Sequence, residues 1–349
     1  MSKKNKNNLH SDDQTRKAVA VPGINSVSPG SLLPQMSAQN FTWGLAIALF
    51  IIAAILYGRT YNFDYTLDDQ IVYSKNRFVD KGFGGIKEIM TKETFAGYFK
   101  DQQNLLSGSR YRPLSVVTFA IEKGIWGGGP AAAHTINWLL YALSAFFVFL
   151  LSRKMLRHFV DSDMVLWIAG LAAMIFLVHP LHVEVVANIK GRDEILCLLF
   201  ALMGGWAYFK WYDGSKFIWF ILGCIFVFLS LLAKESSIIL PVALPVALYI
   251  CRPQLKGTKL TAIFTSLLVV TGIYLMMRYN AVGFLFSSGK GSEDKILMNN
   301  PYLDMYFSDK LATICYVILL YAKLLFYPTP LTHDYYPWQI PAQTFSSPG

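Results

Sequence analysis

Charge is what this 349-residue sequence has least of. Asp, Glu, Lys and Arg supply 15% of it, against 54% hydrophobic residues, where a soluble domain carries about 25% charged residues. Mean hydropathy is +0.39. No phosphate-binding glycine loop or dinucleotide fingerprint is present, so a nucleoside triphosphate is not expected as substrate. Cysteine is scarce as well. Cys197, Cys224, Cys251 and Cys315 all fall inside apolar runs and none in a long polar loop, which excludes a disulfide framework. No tandem repeat recurs within the chain. The excess of basic over acidic residues, net charge +9, does not point to nucleic acid. Lys and Arg cluster in the short segments between apolar runs, where they orient a chain in a membrane.

Long apolar runs are what the sequence does have. Eight are candidate spans: Phe41–Tyr57, Ala131–Leu151, Met164–Val178, Ile195–Tyr212, Phe217–Ala233, Ser237–Cys251, Leu260–Met277 and Leu311–Tyr327. The fold class expected is all-α, a polytopic membrane protein of about eight transmembrane helices. Residues 1–40 read as a disordered cytoplasmic tail, too long for a signal-peptide leader. Residues 41–330 form the membrane domain, and 331–349 a shortened C-terminal segment. Lys3, Lys4, Lys6, Arg16 and Lys17, then Arg153, Lys154, Arg157, Lys210, Lys216, Arg252, Lys256 and Lys259, fall on the side of the N-terminus. The short loops of the other side hold only Lys190, Arg192 and Lys234. The positive-inside rule puts the N-terminus in the cytoplasm. The loops 58–130, 179–194, 234–236 and 278–310 then lie outside, and the inner loops are short and merely basic.

The first outer loop carries two expected interfacial helices. Phe83–Phe99 mixes apolar and charged residues at helical spacing. Arg110-Tyr111-Arg112-Pro113 leads into a second, with proline suited to the first turn, before the break at Gly127–Gly129.

Three polar groups carry candidate chemistry. Asp68-Asp69 opens the long loop. Adjacent side chains diverge, so one carboxylate faces a site while the other binds backbone; a solvated pair or helix cap is the bland alternative. His179-Pro180-Leu181-His182-Val183-Glu184, running on to Lys190-Gly191-Arg192-Asp193-Glu194, places many titratable groups between two spans, where they are expensive. His182 and Glu184 suit a sugar or acceptor, and Arg192 suits a phosphate held by two parallel hydrogen bonds. A divalent metal is the rival, since two imidazoles three apart with a carboxylate form a possible zinc set. It is not favoured, because Pro180 breaks the helix that would align them, and no cofactor is expected. Lys234-Glu235-Ser236 offers a lysine able to neutralise a lipid phosphate, or one that merely snorkels to the interface. His134 and Asn137 share a helix face and suit bundle packing.

The ordered set of motifs resembles a known family. Asp68-Asp69, Arg112-Pro113-Leu114, His134 and Asn137 come first, then His179 to Glu184 with Gly191-Arg192. Lys234-Glu235-Ser236, Asn300-Pro301 and Pro330-Leu331-Thr332-His333-Asp334-Tyr335 follow. Their order is similar to that in the transmembrane and tetratricopeptide-repeat O-mannosyltransferases and their bacterial relatives, within the C-type glycosyltransferases that use polyprenyl-phosphate sugars. The resemblance covers roughly residues 60–340 and lacks the repeat region. It implies inverting transfer of mannose or a similar hexose from a polyprenyl phosphate to a hydroxyl of a protein or glycan acceptor, outside the cytoplasm. The setting implied is a bacterial inner membrane. It carries an acidic base over to Asp68 or Asp69, with Asp68 preferred. Arg112, His179 and Glu235 join His182, Glu184, Arg192 and Lys234 as expected substrate-binding residues. A transporter or lipid flippase is the alternative, and its usual internal repeat is missing. An inactive scaffold is another.

Overall fold

The structure is a computed structural model that describes residues 37–99, 110–252, 254, 257–283, 302–303, 305–332, 335 and 339–346. The expected tail lies outside these apart from its last residues, as do His333, Asp334 and most of the loop 278–310.

All eight apolar runs are helical. In chain order the helices are α1 (Ala38–Tyr57), α2 (Arg77–Asp80), α3 (Ile86–Thr91), α4 (Pro113–Trp126), α5 (Pro130–Leu156), α6 (Ser162–Val178), α7 (Val183–Ala187), α8 (Arg192–Tyr212), α9 (Ile218–Ala233), α10 (Leu240–Cys251), α11 (Gly257–Val282) and α12 (Phe307–Phe326). No strand occurs among the described residues. Among the described residues, fewer than eight helices have the length and hydrophobicity of a full crossing. Four helices are long and apolar enough to cross a bilayer, beginning at Ala38, Pro130, Arg192 and Gly257. A fifth candidate is α6 with the turn and α7 after it, bent by 49°. The bend falls where Pro180 removes a backbone donor. Helices α9 and α10 are shorter.

Two apolar cores hold the bundle. One joins α1, α5 and α6 through Leu49, Ala53, Tyr141, Phe149, Ala169 and Leu177. The other joins α8 to α11 through Tyr208, Val227, Leu231, Leu248 and Leu267, and Tyr111 of the first loop packs into it. Lipid tails are as apolar as leucine, so close backbone approach matters more than burial alone. Gly223 of α9 shows this: a β-carbon there would lie 2.9 Å from the Tyr208 ring of α8.

The first loop folds into a third cluster around Phe78, Val79, Ile89, Val116 and Phe119. Helix α4 forms as expected, with Pro113 at its start and Gly127 at its end. The helix expected over Phe83–Phe99 is reduced to the six residues of α3. The buried Glu93 ends it, because its carboxylate accepts from the amides of Phe95 at 2.8 Å and Arg110 at 3.2 Å. The Thr94 amide donates to the Arg110 carbonyl and the Thr94 hydroxyl accepts from the Arg112 amide, both at 2.8 Å. These bonds fix the stretch that carries Arg112.

Candidate active site at one end of the bundle

Asp68 and Asp69 divide the work that adjacent side chains can divide. The turn before them places Leu67 at φ 43°, a left-handed conformation that non-glycine residues rarely adopt. Asp69 is fully buried. One of its oxygens accepts from the Thr66 amide at 2.9 Å and the other from the Lys190 amide at 2.8 Å. Burial pushes the Asp69 carboxyl up, and these amides pull it part of the way back. Both oxygens are committed to backbone. The Asp68 carboxylate is 44% exposed and pairs with the Lys190 ammonium at 3.0 Å. Of the two, Asp68 is the carboxylate with room for a ligand.

Arg112 is the junction of the site. Its Nε and Nη2 donate to both Glu235 oxygens, at 2.8 and 2.6 Å, and its Nη1 donates to Asp193 at 2.8 Å. The first loop, the start of α8 and the α9–α10 connection are thereby joined. Burial opposes the charge on Glu235, but the Arg112 fork outweighs it and holds the carboxyl at about 2. Lys234 pairs with Glu194. Burial and the neighbouring Arg112 lower the Lys234 ammonium, partly offset by Asp193 and Glu235. A small cavity of about 10 Å³ touches Arg112, Lys190 and Asp193 together, so the Asp68–Lys190 pair adjoins the Arg112 network.

Arg192 sits differently from a phosphate ligand. It is completely buried. Its Nε donates to Asn137 at 2.7 Å, Nη1 to Thr118 at 3.1 Å and to Glu122, and Nη2 to the Ala133 carbonyl at 2.9 Å. The Phe119 ring covers it. Burial raises the Glu122 carboxyl and Arg192 pulls it down. Every guanidinium nitrogen is spent on protein, so a phosphate would have to displace a partner. The same bonds explain Asn137, whose amide also donates to the Asn188 carbonyl at 2.9 Å. Gly191, just before Arg192, is a glycine because a β-carbon would run into the Val185 carbonyl.

The histidine turn lines a groove. His182 uses Nδ1 on the Tyr141 hydroxyl at 2.7 Å and the Phe176 carbonyl at 3.0 Å, which leaves Nε2 without a partner among the described residues. With Glu194, Ser236 and Ser237, His182 borders a cavity of about 500 Å³ whose other walls are mostly apolar, including Phe176, Ile195, Leu198 and Leu240. His179 faces elsewhere: its Nε2 meets the Leu325 carbonyl at 3.0 Å and its Nδ1 accepts from the Leu181 amide at 3.3 Å. Glu184 is exposed on α7, accepts from the Asn188 amide nitrogen at 3.2 Å and does not border the groove. The structure therefore gathers three neighbouring ion-paired groups, Asp68 with Lys190, Arg112 with Glu235 and Asp193, and Lys234 with Glu194, and puts His182 on the adjoining groove. His179 and Glu184 stand aside.

Reading the sequence alone misses Glu93 and Glu122. Glu122 carried a signal: with Ser115 and Phe119 it falls on one helix face, so a carboxylate on the buried side of α4 called for a cation.

Comparisons with known proteins find relatives of the same kind as the resemblance. The chain is 30% identical over 237 residues to protein O-mannosyl-transferase TMTC4 of Homo sapiens, covering 63% of this chain and 30% of that protein. It is 26% identical over 313 residues to a protein O-mannosyl-transferase of Caenorhabditis elegans, covering 89% of this chain and 42% of that one. Protein O-mannosyl-transferase Tmtc2 of Drosophila melanogaster is 25% identical over 295 residues, covering 81% and 29%. The chain spans less than half the length of these relatives. No family model and no solved structure matches it. The family that the ordered motifs resemble is the family of these curated proteins, to which the chain is similar over 63 to 89% of its length.

Proposed function

We propose that the protein is a membrane glycosyltransferase that moves a hexose, mannose or one like it, from a polyprenyl-phosphate donor to a Ser or Thr hydroxyl. The observation that carries this reading is an accessible carboxylate, Asp68, paired with Lys190 next to the Arg112 and Lys234 ion pairs, at the end of the bundle that holds a largely apolar groove. The relatives named protein O-mannosyl-transferases support the reaction class and a protein acceptor.

Each part of the reaction has a residue suited to it. Asp68 takes the proton of the acceptor hydroxyl as that oxygen attacks the anomeric carbon. The bond from that carbon to the phosphate oxygen breaks, and configuration inverts. The departing polyprenyl phosphate carries its own negative charge and needs no proton donor. It needs cations, and Lys234 and Lys190 are suited to supply them. Lys234 reaches the phosphate by exchanging its Glu194 pair. The Arg112 fork, fully occupied by Glu235 and Asp193, acts as the frame that holds these groups. His182 Nε2 suits a sugar hydroxyl. The groove of about 500 Å³ suits the first isoprene units. We further place this end of the bundle outside the cytoplasm, because the basic short loops gather at the other end.

The test is transfer of labelled mannose from polyprenyl-phosphate mannose to a Ser/Thr-rich peptide by purified protein in lipid. Labelled peptide supports the reading. Absence of transfer from polyprenyl-phosphate mannose and glucose alike, by protein that melts cooperatively, overturns it.

A further inference from the structure

The opposite end of the bundle holds a second cavity, and it is basic. Helix α8 runs from Arg192 to Tyr212, so its two ends are about 30 Å apart. At the far end a cavity of about 460 Å³ is lined by Leu150, Arg153, Lys154, Arg157, Ser162, Val165, Trp206 and Lys210. Four cations, three at the end of α5 and one on α8, face one space. The nearest buried anion is Asp213, and it is already shared. Lys154 reaches it at 3.2 Å, Arg157 at 2.8 Å and Arg252 at 2.7 Å. Arg153 makes no hydrogen bond or ion pair among the described residues, and Lys210 lies over the rings of Trp219 at 3.6 Å and Trp206 at 4.8 Å. Asp163, at the start of α6, is turned to the Ser162 hydroxyl and does not line the cavity. A surplus of positive charge around a partly enclosed space calls for an anion.

We propose that this cavity binds a phosphate-bearing anion, and that the anion is the headgroup of an acidic phospholipid. The lipid source follows from the walls. Helix α6, whose Ser162 and Val165 line the cavity, exposes Met164, Ile168 and Leu171 on its surface, apolar residues that suit acyl chains. Trp206 and Trp219 belong to the aromatic class that sits at headgroup level. Basic pockets between helix ends are a recurrent way of holding anionic headgroups. The proposal is independent of the sugar chemistry at the other end.

The experiment is native mass spectrometry of the purified chain in detergent carrying equimolar phosphatidylglycerol and phosphatidylcholine. A parallel titration with pyrophosphate tests a soluble source. The variant is Arg153→Gln with Lys210→Gln, and the control is Lys75→Gln with Lys87→Gln, two exposed cations of the first loop. Retention of phosphatidylglycerol over phosphatidylcholine, reduced on the order of tenfold in the variant and unchanged in the control, supports the lipid site. Saturable pyrophosphate binding that the variant loses, without lipid preference, keeps the phosphate site and overturns its lipid source. Equal retention of both lipids with no pyrophosphate binding overturns the whole proposal, and that result needs only the wild-type chain. A folded variant that keeps the full preference overturns it too.

Discussion

The two ends of the bundle handle charge in opposite ways. At the end that holds Asp68, carboxylates and cations are matched: Asp68 with Lys190, Arg112 with Asp193 and Glu235, Lys234 with Glu194, and Arg192 with Glu122. At the other end one carboxylate, Asp213, is surrounded by Lys154, Arg157 and Arg252, with Arg153 and Lys210 nearby. A matched network holds loops in place and leaves chosen groups able to exchange partners with a ligand. A surplus of one sign waits for a counter-ion.

The comparison breaks most visibly at the buried pairs. Glu122→Ala leaves the sealed Arg192 without its counter-charge, and the expected loss is about 3–5 kcal/mol of stability, read from denaturant unfolding. Added salt should not restore it, because the pair is shielded from solvent. Asp213→Asn should cost about 3 kcal/mol, and here 0.5 M salt should recover part of the loss, since the remaining cations border an open cavity. Equal salt response at both ends would erase the distinction. Between the ends, Gly223→Leu forces α9 off the Tyr208 ring and should lower stability by about 1–3 kcal/mol, with no change in salt response.

Acid sharpens the same contrast. The Glu235 carboxyl lies at about 2 in the folded chain against an ordinary 4.5. A lowered folded value means that its stabilisation is complete above pH 4.5 and is lost as pH falls towards 2. Asp69 works the other way: its raised carboxyl takes a proton first in the native state, so acid relieves the penalty of burying its charge. Unfolding midpoints between pH 5 and pH 2 should fall, and in Arg112→Gln the Glu235 part of that fall should vanish. An unchanged pH profile in that variant would contradict the Arg112 fork.

Much of this architecture was legible in the sequence. Apolar runs mark eight of the helices, because a bilayer demands continuous hydrophobicity. The number of full crossings was not legible, since short runs such as α9 and α10 satisfy the same pattern. Asp68, Arg112, Lys234 and Glu235 stood out as polar residues beside apolar runs, and the structure brings their ion pairs to one end of the bundle. Arg192 stood out for the same reason, yet its surroundings are Asn137, Thr118 and Glu122, far away in the chain. Sequence shows a charge but not which distant groups enclose it. Asp213 shows the limit again. The inner loops were expected to be merely basic, and their organising residue is a single buried acid.

The central claim is that Asp68 is the base and Asp69 the brace. Its most direct test is hexose transfer by wild type, Asp68→Asn and Asp69→Asn, each with its thermal unfolding midpoint. Asp68→Asn removes one partly exposed ion pair, so stability should change by no more than about 1 kcal/mol while turnover falls at least about 100-fold. Asp69→Asn should lower the midpoint, because one of its buried backbone contacts then meets an amide donor. Full turnover in Asp68→Asn, or turnover abolished in Asp69→Asn with an unchanged midpoint, would contradict the assignment.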